Sequence, residues 1–181
     1  MVKAYPTGKL SKHLAEMRVG DVLEVKGPIS KRPLSEIAKR TDVAMVAGGT
    51  GLTPMLQVAE EVLRQKLPIA LTLVFANVSE ADIMLRGRLD ALAAQHPAQF
   101  RVHYVVDRAS SPAWAGGVGY LTEGMLKAWL PPPADSSLVL VCGPPGMMAA
   151  VSGDKAQDKS QGPLTGLLAK MGYSSSQVFK F

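Results

Sequence analysis

Residues 43–56 read Val-Ala-Met-Val-Ala-Gly-Gly-Thr-Gly-Leu-Thr-Pro-Met-Leu, an apolar strand that passes through glycines directly into the start of a helix. Glycine lets the backbone turn tightly and come close to a ligand, and the first N–H groups of a helix have no partner inside it. Pro54 suits the first helical turn, where its missing N–H removes no hydrogen bond. The stretch is typical of a turn that holds the phosphates of a nucleotide.

This motif fits the known phosphate-binding fingerprints only in part. The dinucleotide fingerprint is Gly-x-Gly-x-x-Gly, and residues 49–54 keep the first two glycines but place proline in the third position. A P-loop is excluded, because no Gly-Lys-Ser/Thr sequence follows. The alternative is a glycine-rich turn that binds no ligand.

A second stretch repeats the pattern. Residues 137–148 read Ser-Leu-Val-Leu-Val-Cys-Gly-Pro-Pro-Gly-Met-Met, so an apolar strand again ends in an abrupt turn before a helix. In an open parallel sheet, ligands bind outside the carboxyl ends of the strands, near the point where the strand order reverses. We therefore expect both turns to face one cleft, with the sulfur of Cys142 pointing into it.

Cys142 is the only cysteine, which excludes an internal disulfide and a multi-cysteine metal site. A small core side chain is the alternative interpretation of this residue. No histidine lies near it in the sequence to act as a base, so a thiol nucleophile is not expected. The three histidines lack the spacing of metal ligands, so no metal site is expected.

The composition is that of a globular domain. Of the 181 residues, 47% are hydrophobic, which is enough for a sizeable core. No apolar run reaches the roughly 18 residues of a membrane span, and no signal peptide begins the chain, so we expect a soluble protein. The formal net charge is +5, but the basic residues are scattered, so nucleic-acid binding is not expected.

Strands and helices are expected to alternate along most of the chain. The predicted strands cover residues 43–47, 70–76, 100–106, 137–142 and 177–181, and the predicted helices cover residues 54–65, 86–95, 122–129 and 164–171. This alternation predicts an α/β domain over residues 41–181, with a doubly wound, mostly parallel sheet of five strands. Residues 1–40 contain only a short helix and a half-exposed strand at residues 20–28, which cannot bury a core by themselves. They are expected to be the remnant of another domain, so that either they dock on the α/β domain or an amino-terminal portion is absent.

Five stretches occur in a fixed order along the chain. They are Gly-Lys-Leu-Ser at residues 8–11, the segment 20–28, Ala-Gly-Gly-Thr-Gly-Leu-Thr-Pro-Met at 47–55, Ala-Asn-Val-Ser-Glu-Ala-Asp-Ile at 76–83 and Cys-Gly-Pro-Pro-Gly-Met at 142–147. Together they resemble the NADH-cytochrome b5 reductase family, and residues 143–181 are most similar to the fungal mitochondrial form.

The resemblance implies a flavoprotein with two domains, an FAD-binding β-barrel followed by a ferredoxin reductase-like NADH-binding domain. Such a protein passes electrons from NADH through FAD to the haem of cytochrome b5 or a similar acidic haem protein, which a positive surface suits. The chain matches the second part together with the end of the barrel, and the family's Arg-x-Tyr-Ser/Thr flavin motif has no counterpart in it. The implied location is mitochondrial, at the outer membrane or in the intermembrane space, with the cytoplasmic face of the endoplasmic reticulum as the alternative.

Two other functions stay open. One is a truncated dinucleotide-binding module without flavin or catalysis. The other is the reductase domain of a nitrate reductase or of another flavin-dependent electron-transfer enzyme.

The resemblance also assigns roles to individual residues. Lys9, Leu10 and Ser11 match the motif that holds the FAD pyrophosphate, although a helix N-cap at residues 8–11, with Ser11 satisfying the free N–H groups, is the alternative. Thr53 matches a catalytic threonine that reaches the flavin from the NADH side. Cys142 matches the catalytic cysteine beside the nicotinamide, where it orients the hydride donor and acceptor. The remaining NADH-binding positions are Gly48, Gly49, Thr50, Gly51, Pro54, Gly143, Pro144 and Pro145.

Asp107 follows the third predicted strand and matches the acidic residue that favours NADH over NADPH. A carboxylate accepts hydrogen bonds from ribose hydroxyls and repels a 2′-phosphate. Arg108 and Lys127 would attract a phosphate, so NADPH stays an alternative. Asp82 is expected to cap a helix or to pair with Arg86 at helical spacing.

Overall fold

A computed structural model describes residue 2, residues 4–27 and residues 33–181 of the chain. Its centre is a parallel sheet made of β1 (Asp42–Gly48), β2 (Ala70–Asn77), β3 (Phe100–Val106), β4 (Gly117–Val118), β5 (Ser137–Cys142) and β6 (Val178–Lys180). The spatial order is β4-β3-β2-β1-β5-β6, and every adjacent pair is parallel. The predicted doubly wound α/β fold is confirmed, with six strands in place of five. Sequence reasoning missed β4, because two residues in a glycine-rich loop leave no apolar run to detect.

Helices cover both faces of the sheet. In chain order they are α1 (Lys9–Glu16), α2 (Leu34–Ile37), α3 (Leu52–Arg64), α4 (Arg86–Gln95), α5 (Glu123–Trp129), α6 (Pro145–Val151) and α7 (Gly166–Lys170). One buried cluster packs α3 and α4 against one face of the sheet, and a second packs α5, α6 and α7 against the other. None of the helices in the described part of the chain is long and apolar enough to cross a membrane.

The central strands are buried on both faces, which is why they read as unbroken apolar runs. In β1, six of the seven residues are buried. Successive side chains point to opposite faces, so Met45 joins the cluster under α3 and Val46 joins the cluster on the other side. Met55, Ala59 and Val62 recur at the spacing of one helix face, and this face of α3 is buried.

The amino-terminal residues do not share this core. None of the described residues up to residue 27 is buried. The core begins at Ile37, the last residue of α2, which is 1% exposed. The division of the chain at residue 40 stays a prediction, and α2 packs with the part that follows it.

The strand predicted at residues 20–28 is wrong for the part of that segment that the structure describes, residues 20–27. The backbone there pairs with no other strand. Val19, Val22 and Val25 are 108%, 89% and 81% exposed, so this apolar segment is covered by nothing in the described chain. An extended segment becomes a strand only when a neighbouring strand supplies hydrogen bonds, and none lies beside it here. Pro28 lies outside the described residues.

Candidate functional site

The tips of β1 and β5 lie side by side. The two strands are adjacent and parallel, and Ala47 pairs in register with Cys142, so both strands end at the same level. On one side of β1 the sheet continues through β2 and β3, whereas beyond β5 it continues to β6. The strand order therefore reverses between β1 and β5, and the crevice at such a point is where open α/β sheets bind ligands. The structure brings together the two turns that the sequence predicted to share a cleft.

Gly51 allows these two turns to touch. A Cβ atom at Gly51 would lie 2.1 Å from the carbonyl oxygen of Cys142, which is too close for any side chain. A Cβ atom at Gly48 would lie 2.8 Å from Cδ of Pro144, in the turn that follows β5. Both glycines are thus required by the contact between the turns, whereas the sequence suggested that they make room for a ligand.

Gly49 faces open space instead. Its φ of +53° lies in the left-handed region that favours glycine, and no atom lies within 4 Å of the position that a Cβ would take. It opens a short 3-10 turn, Gly49–Gly51, which runs into the 13 residues of α3. The first N–H groups of a helix lack partners inside the helix and carry a partial positive charge. This turn can therefore hold an anionic group such as a phosphate.

Thr53 and Pro54 lie in the first turn of α3. The Thr53 hydroxyl donates a hydrogen bond to the carbonyl oxygen of Thr50, at 3.1 Å between the oxygens, and the side chain is exposed. This bond orients the hydroxyl at the edge of the turn, while its oxygen can still accept a hydrogen bond. Pro54 occupies a position where its missing N–H breaks no helical hydrogen bond.

Cys142 is half-buried at the end of β5, where it packs against the apolar cluster under α3. Burial raises the pKa of the Cys142 thiol, and the positive charge of Lys155 lowers that pKa by a smaller amount. The thiol is therefore protonated at neutral pH, and a protonated thiol is a poor nucleophile. Gly143 and Pro144 follow directly, and α6 begins at Pro145.

Asp107 lies one residue beyond β3 and is exposed at the same edge of the sheet. Its backbone N–H donates a hydrogen bond to the carbonyl oxygen of Asn77, the last residue of β2, at 3.1 Å. Two strand spacings separate β3 from β1, so Asp107 is displaced from the β1 turn by roughly 10 Å along the sheet edge. One extended ligand can therefore contact both.

Glu80 holds the loop that follows Asp107, a role that sequence reasoning missed. Its Oε1 accepts hydrogen bonds from the backbone N–H groups of Ser110 and Ser111 and from the Ser110 hydroxyl, each at 3.0 Å. Loss of solvent raises the pKa of the Glu80 carboxyl, but these hydrogen bonds and the charge of Arg86 together bring that pKa below its ordinary value. The partners lie 30 and 31 residues away in the sequence, so no local pattern predicts the contact.

The expected pair between Asp82 and Arg86 is wrong. Asp82 accepts a hydrogen bond from the Ser79 hydroxyl at 2.6 Å, and Arg86 Nε lies 3.8 Å from a carboxylate oxygen of Asp90. The reason is that α4 begins only at Arg86, after Leu85 with a φ of +55°. Helical spacing therefore does not apply between residues 82 and 86.

A cavity of about 440 Å³ opens at the edge of β3, away from the two turns. Arg86 lies in its wall, with the guanidinium carbon 5.5 Å from the ring centroids of Tyr104 and of Trp114. His103 and Trp129 stack in the same wall, with ring centroids 4.8 Å apart. None of the predicted site residues lines this cavity.

Lys9, Leu10 and Ser11 form the first turn of α1, apart from the other predicted site residues. α1 buries no side chain, and Leu10 is 67% exposed. The helix N-cap lies at Gly8, within the stretch of the alternative interpretation, but the Ser11 side chain does not cap the free N–H groups of the helix. The Ser11 hydroxyl accepts a hydrogen bond from the Tyr5 N–H at 3.1 Å and donates one to the Gly8 carbonyl oxygen at 3.4 Å. These residues form an ordered turn on the surface of the described chain.

An open parallel sheet with a glycine turn at its switch point defines the class of nucleotide-binding α/β domains. Residues 45–153 match the family model of the oxidoreductase NAD-binding domain, and residues 1–32 match that of the oxidoreductase FAD-binding domain. The chain therefore belongs to the oxidoreductase NAD-binding domain family.

Similar proteins agree with the resemblance. Over 182 residues the chain is 47% identical to an NADH-cytochrome b5 reductase-like protein of Arabidopsis thaliana, covering 100% of the chain and 55% of that protein. It is 47% identical over 183 residues to NADH-cytochrome b5 reductase 2 of Aspergillus clavatus, covering 100% and 56%. The solved cytochrome b5 reductase domain of Ulva prolifera nitrate reductase has a TM-score of 0.77 and 32% identity, with coverage of 100% and 70%. The predicted family is confirmed, and the chain spans about half the length of the curated relatives it matches.

Gly51→Ala is expected to separate the two turns. Its Cβ would meet the Cys142 carbonyl oxygen, and relief of such a clash typically costs about 1–3 kcal/mol of unfolding free energy. Urea unfolding measures this loss, and backbone amide spectra should show shifts at residues 142–143 as well as at residue 51. Gly87→Ala is the matched control, because Gly87 lies within α4 with open space around it and alanine favours a helix. Equal stability of the two variants would contradict the contact.

Glu80→Gln is expected to release the loop after Asp107. The pKa of Glu80 lies below its ordinary value of 4.5 in the folded chain, so the carboxylate stabilises the loop above that ordinary value, and this contribution is lost as the pH falls through the folded pKa. The amide proton shifts of Ser110 and Ser111 should therefore titrate in acid in the original chain and stay flat in the variant.

Glu123→Gln provides the control for this titration. The Glu123 carboxylate contacts Lys127 at 2.6 Å, within α5, so its loss should leave the Ser110 and Ser111 shifts as they are. Identical acid titrations in the original chain and in Glu80→Gln would show that Glu80 does not hold the loop.

Proposed function

We propose that the chain binds NADH at the tips of β1 and β5 and presents its nicotinamide ring for hydride transfer. The observation that carries this proposal is the contact between Gly51 and Cys142, which makes one site of two turns. The family match to an oxidoreductase NAD-binding domain supports the choice of a pyridine dinucleotide as the ligand.

The residues present fit this ligand at the phosphate-binding turn, at Asp107, and at Cys142 together with Thr53. The turn at Gly49 and Thr50, at the start of α3, offers backbone N–H groups to the pyrophosphate. Asp107, exposed at the tip of β3, offers its carboxylate to the hydroxyls of the adenosine ribose. The same charge repels a 2′-phosphate, so we propose NADH as the preferred form, although the neighbouring Arg108 would favour NADPH.

At the other end of the site, Cys142 and Thr53 would contact the nicotinamide. When bound, NADH supplies a hydride from its nicotinamide ring. The half-buried, protonated thiol of Cys142 would contact the nicotinamide ring and limit its position. The exposed Thr53 hydroxyl can accept or donate a hydrogen bond. Their contribution is orientation of the reacting groups rather than covalent chemistry.

We propose FAD as the hydride acceptor, with part of its binding surface in this chain. Lys9, Leu10 and Ser11 fit only the pyrophosphate of FAD, because they form one surface turn at the start of α1. The exposed apolar segment at residues 19–25 and the FAD-binding family match at residues 1–32 support the remainder of a barrel as its cover.

The proposed electron acceptor is cytochrome b5 or a similar acidic haem protein. The net charge of +5 supports this partner, because a positive field raises the rate of encounter with an acidic surface. Such redox contacts are small, and their rate falls as salt screens the charges. A mitochondrial location is also proposed, and it rests on the resemblance to the fungal mitochondrial form.

A second candidate function is a dinucleotide-binding module without catalysis. The exposure of Val19, Val22 and Val25 favours it, because the amino-terminal segment has no partner surface in the described chain. Colour separates the two functions. A purified chain that is yellow and reduces ferricyanide with NADH is a reductase, whereas a colourless, inactive chain that binds NADH is the module.

Titration calorimetry of the purified chain with NADH, in low salt, tests the proposed binding. We expect weak but saturable heat, and weaker binding of NADPH because Asp107 repels the added phosphate. Asp107→Asn should narrow the difference between the affinities for NADH and NADPH. Asp158→Asn, which removes an exposed carboxylate from the segment between α6 and α7, should leave that difference unchanged. The absence of any saturable heat with NADH would contradict the proposal.

A further inference from the structure

The segment 154–163, within the connection between α6 and α7, is fastened to β6 at the edge of the sheet. Gln161 pairs with the backbone of Lys180 as a neighbouring strand would. Its Oε1 accepts a hydrogen bond from the Lys180 N–H at 2.7 Å, and its Nε2 donates one to the Lys180 carbonyl oxygen at 3.0 Å. The side chain of one residue thus covers the open edge of β6.

The side chain of Lys180 ties both ends of this segment together. Lys180 is 2% exposed, and its Nζ donates hydrogen bonds to the carbonyl oxygens of Asp154 at 3.1 Å and Pro163 at 2.8 Å. A buried ammonium that loses these acceptors would be strongly disfavoured, so the bonds are costly to break. Segment 154–163 is therefore held in one position relative to the sheet.

This arrangement fixes the ammonium of Lys155 at the outer edge of β6, one strand beyond β5. Lys155 Nζ donates a hydrogen bond to the Lys180 carbonyl oxygen at 3.2 Å. Lys180 is level with Val141 of β5, but its N–H and carbonyl group face Gln161, whereas the N–H of Phe181 donates to the Val141 carbonyl oxygen at 3.0 Å. The ammonium therefore lies on the outer side of β6, level with the end of β5. The charge of Lys155 acts on Cys142 from this position, because it lowers the pKa of the Cys142 thiol. In the described part of the chain, Lys155 forms no ion pair with a carboxylate.

The direction of the dinucleotide follows from the charges along the sheet edge, and this step rests on the proposed function. Asp107 lies at the tip of β3, on one side of the phosphate-binding turn, and suits the adenosine ribose. Cys142 lies on the other side of that turn, at the tip of β5. The nicotinamide ring then lies at the β5 tip, on the side of the site where the Lys155 ammonium lies one strand further along.

We propose that Lys155 is the residue by which this site prefers the reduced dinucleotide over the oxidised one. The nicotinamide ring is neutral in NADH and carries a positive charge in NAD+. A fixed ammonium on this side of the site repels the charged ring of NAD+ and leaves the neutral ring of NADH unaffected, so it favours binding of the hydride donor and release of the oxidised product. The pyrophosphate is the same in both forms, so its interactions cancel in the ratio of the two affinities.

Titration calorimetry with NADH, NAD+ and ADP-ribose tests this role in the full chain. Lys155→Met should tighten NAD+ relative to NADH on the order of tenfold, because it removes a unit charge near the ring. ADP-ribose, which has no nicotinamide ring, should bind the original chain and the variant alike. The original preference for NADH should also shrink in about 1 M salt, where charges are screened beyond about 3 Å.

Two further variants separate charge from structure. Lys155→Arg keeps the charge and should keep the preference for NADH. Lys159→Met removes an exposed charge from the same segment and should leave the preference unchanged. An NADH to NAD+ affinity ratio that is the same in Lys155→Met as in the original chain would overturn the inference, and so would an equal loss of ADP-ribose and NADH affinity, which would assign Lys155 to the phosphates.

The two levels of proposal fail differently in this experiment. If the original chain binds NADH but Lys155→Met has the same NADH to NAD+ affinity ratio as the original chain, the inference about Lys155 is overturned and the proposed NADH site stands. If the original chain binds neither dinucleotide, the proposed function is overturned and the inference with it.

Discussion

Two loops form a single site in this protein because Gly51 carries no side chain. The turn after β1 lies directly against the carbonyl group of Cys142, and a Cβ at Gly51 would stand 2.1 Å from that oxygen. Each turn is also the end of a strand that is buried on both faces at the centre of the sheet. Close-packed interiors transmit small displacements, so a shift in one turn is felt by the other. Gly49 plays a different part, since it keeps the outer side of the turn open.

Groups of opposite charge lie on the two sides of this contact. The exposed carboxylate of Asp107 lies two strands to one side, and the ammonium of Lys155 lies beyond β5 on the other. Contacts between distant residues hold the segments that carry them, since Glu80 binds the loop after Asp107 and Gln161 joins the segment of Lys155 to Lys180 in β6. The rigid sheet sets the distances along the edge, and the loops supply the groups that recognise a ligand.

Apolar periodicity and glycine turns were sufficient to predict the main elements and the adjacency of the two turns. The predicted strand at residues 100–106 and helix at residues 86–95 have the observed bounds, because strong local patterns and clear turn residues delimit them. Individual side-chain contacts between distant residues were not predictable. The short strand β4 has no apolar run, and the threefold acceptor role of Glu80 joins residues about thirty positions apart. Gly48 and Gly51 are also needed for a reason other than the expected one. The contact between the two turns excludes a side chain at both positions, whereas a bound ligand was the expected cause.

The segment at residues 20–27 shows the limit of local pattern in another way. Its alternating apolar residues are those of a strand, but hydrogen bonding to a neighbour is what makes a strand, and the described chain offers none. The α/β part has no such gap, because its strands pair with one another and its helices cover both faces of the sheet. The candidate NADH site therefore lies entirely on elements that are complete within residues 42–181.

The central claim is that one dinucleotide contacts both turns at once. Backbone amide spectra of the labelled chain, recorded through an NADH titration, test this most directly. The account predicts that the amides of Gly49, Thr50 and Gly143 shift together and saturate with a single dissociation constant. Shifts confined to one turn, or two turns that saturate at different NADH concentrations, would contradict it.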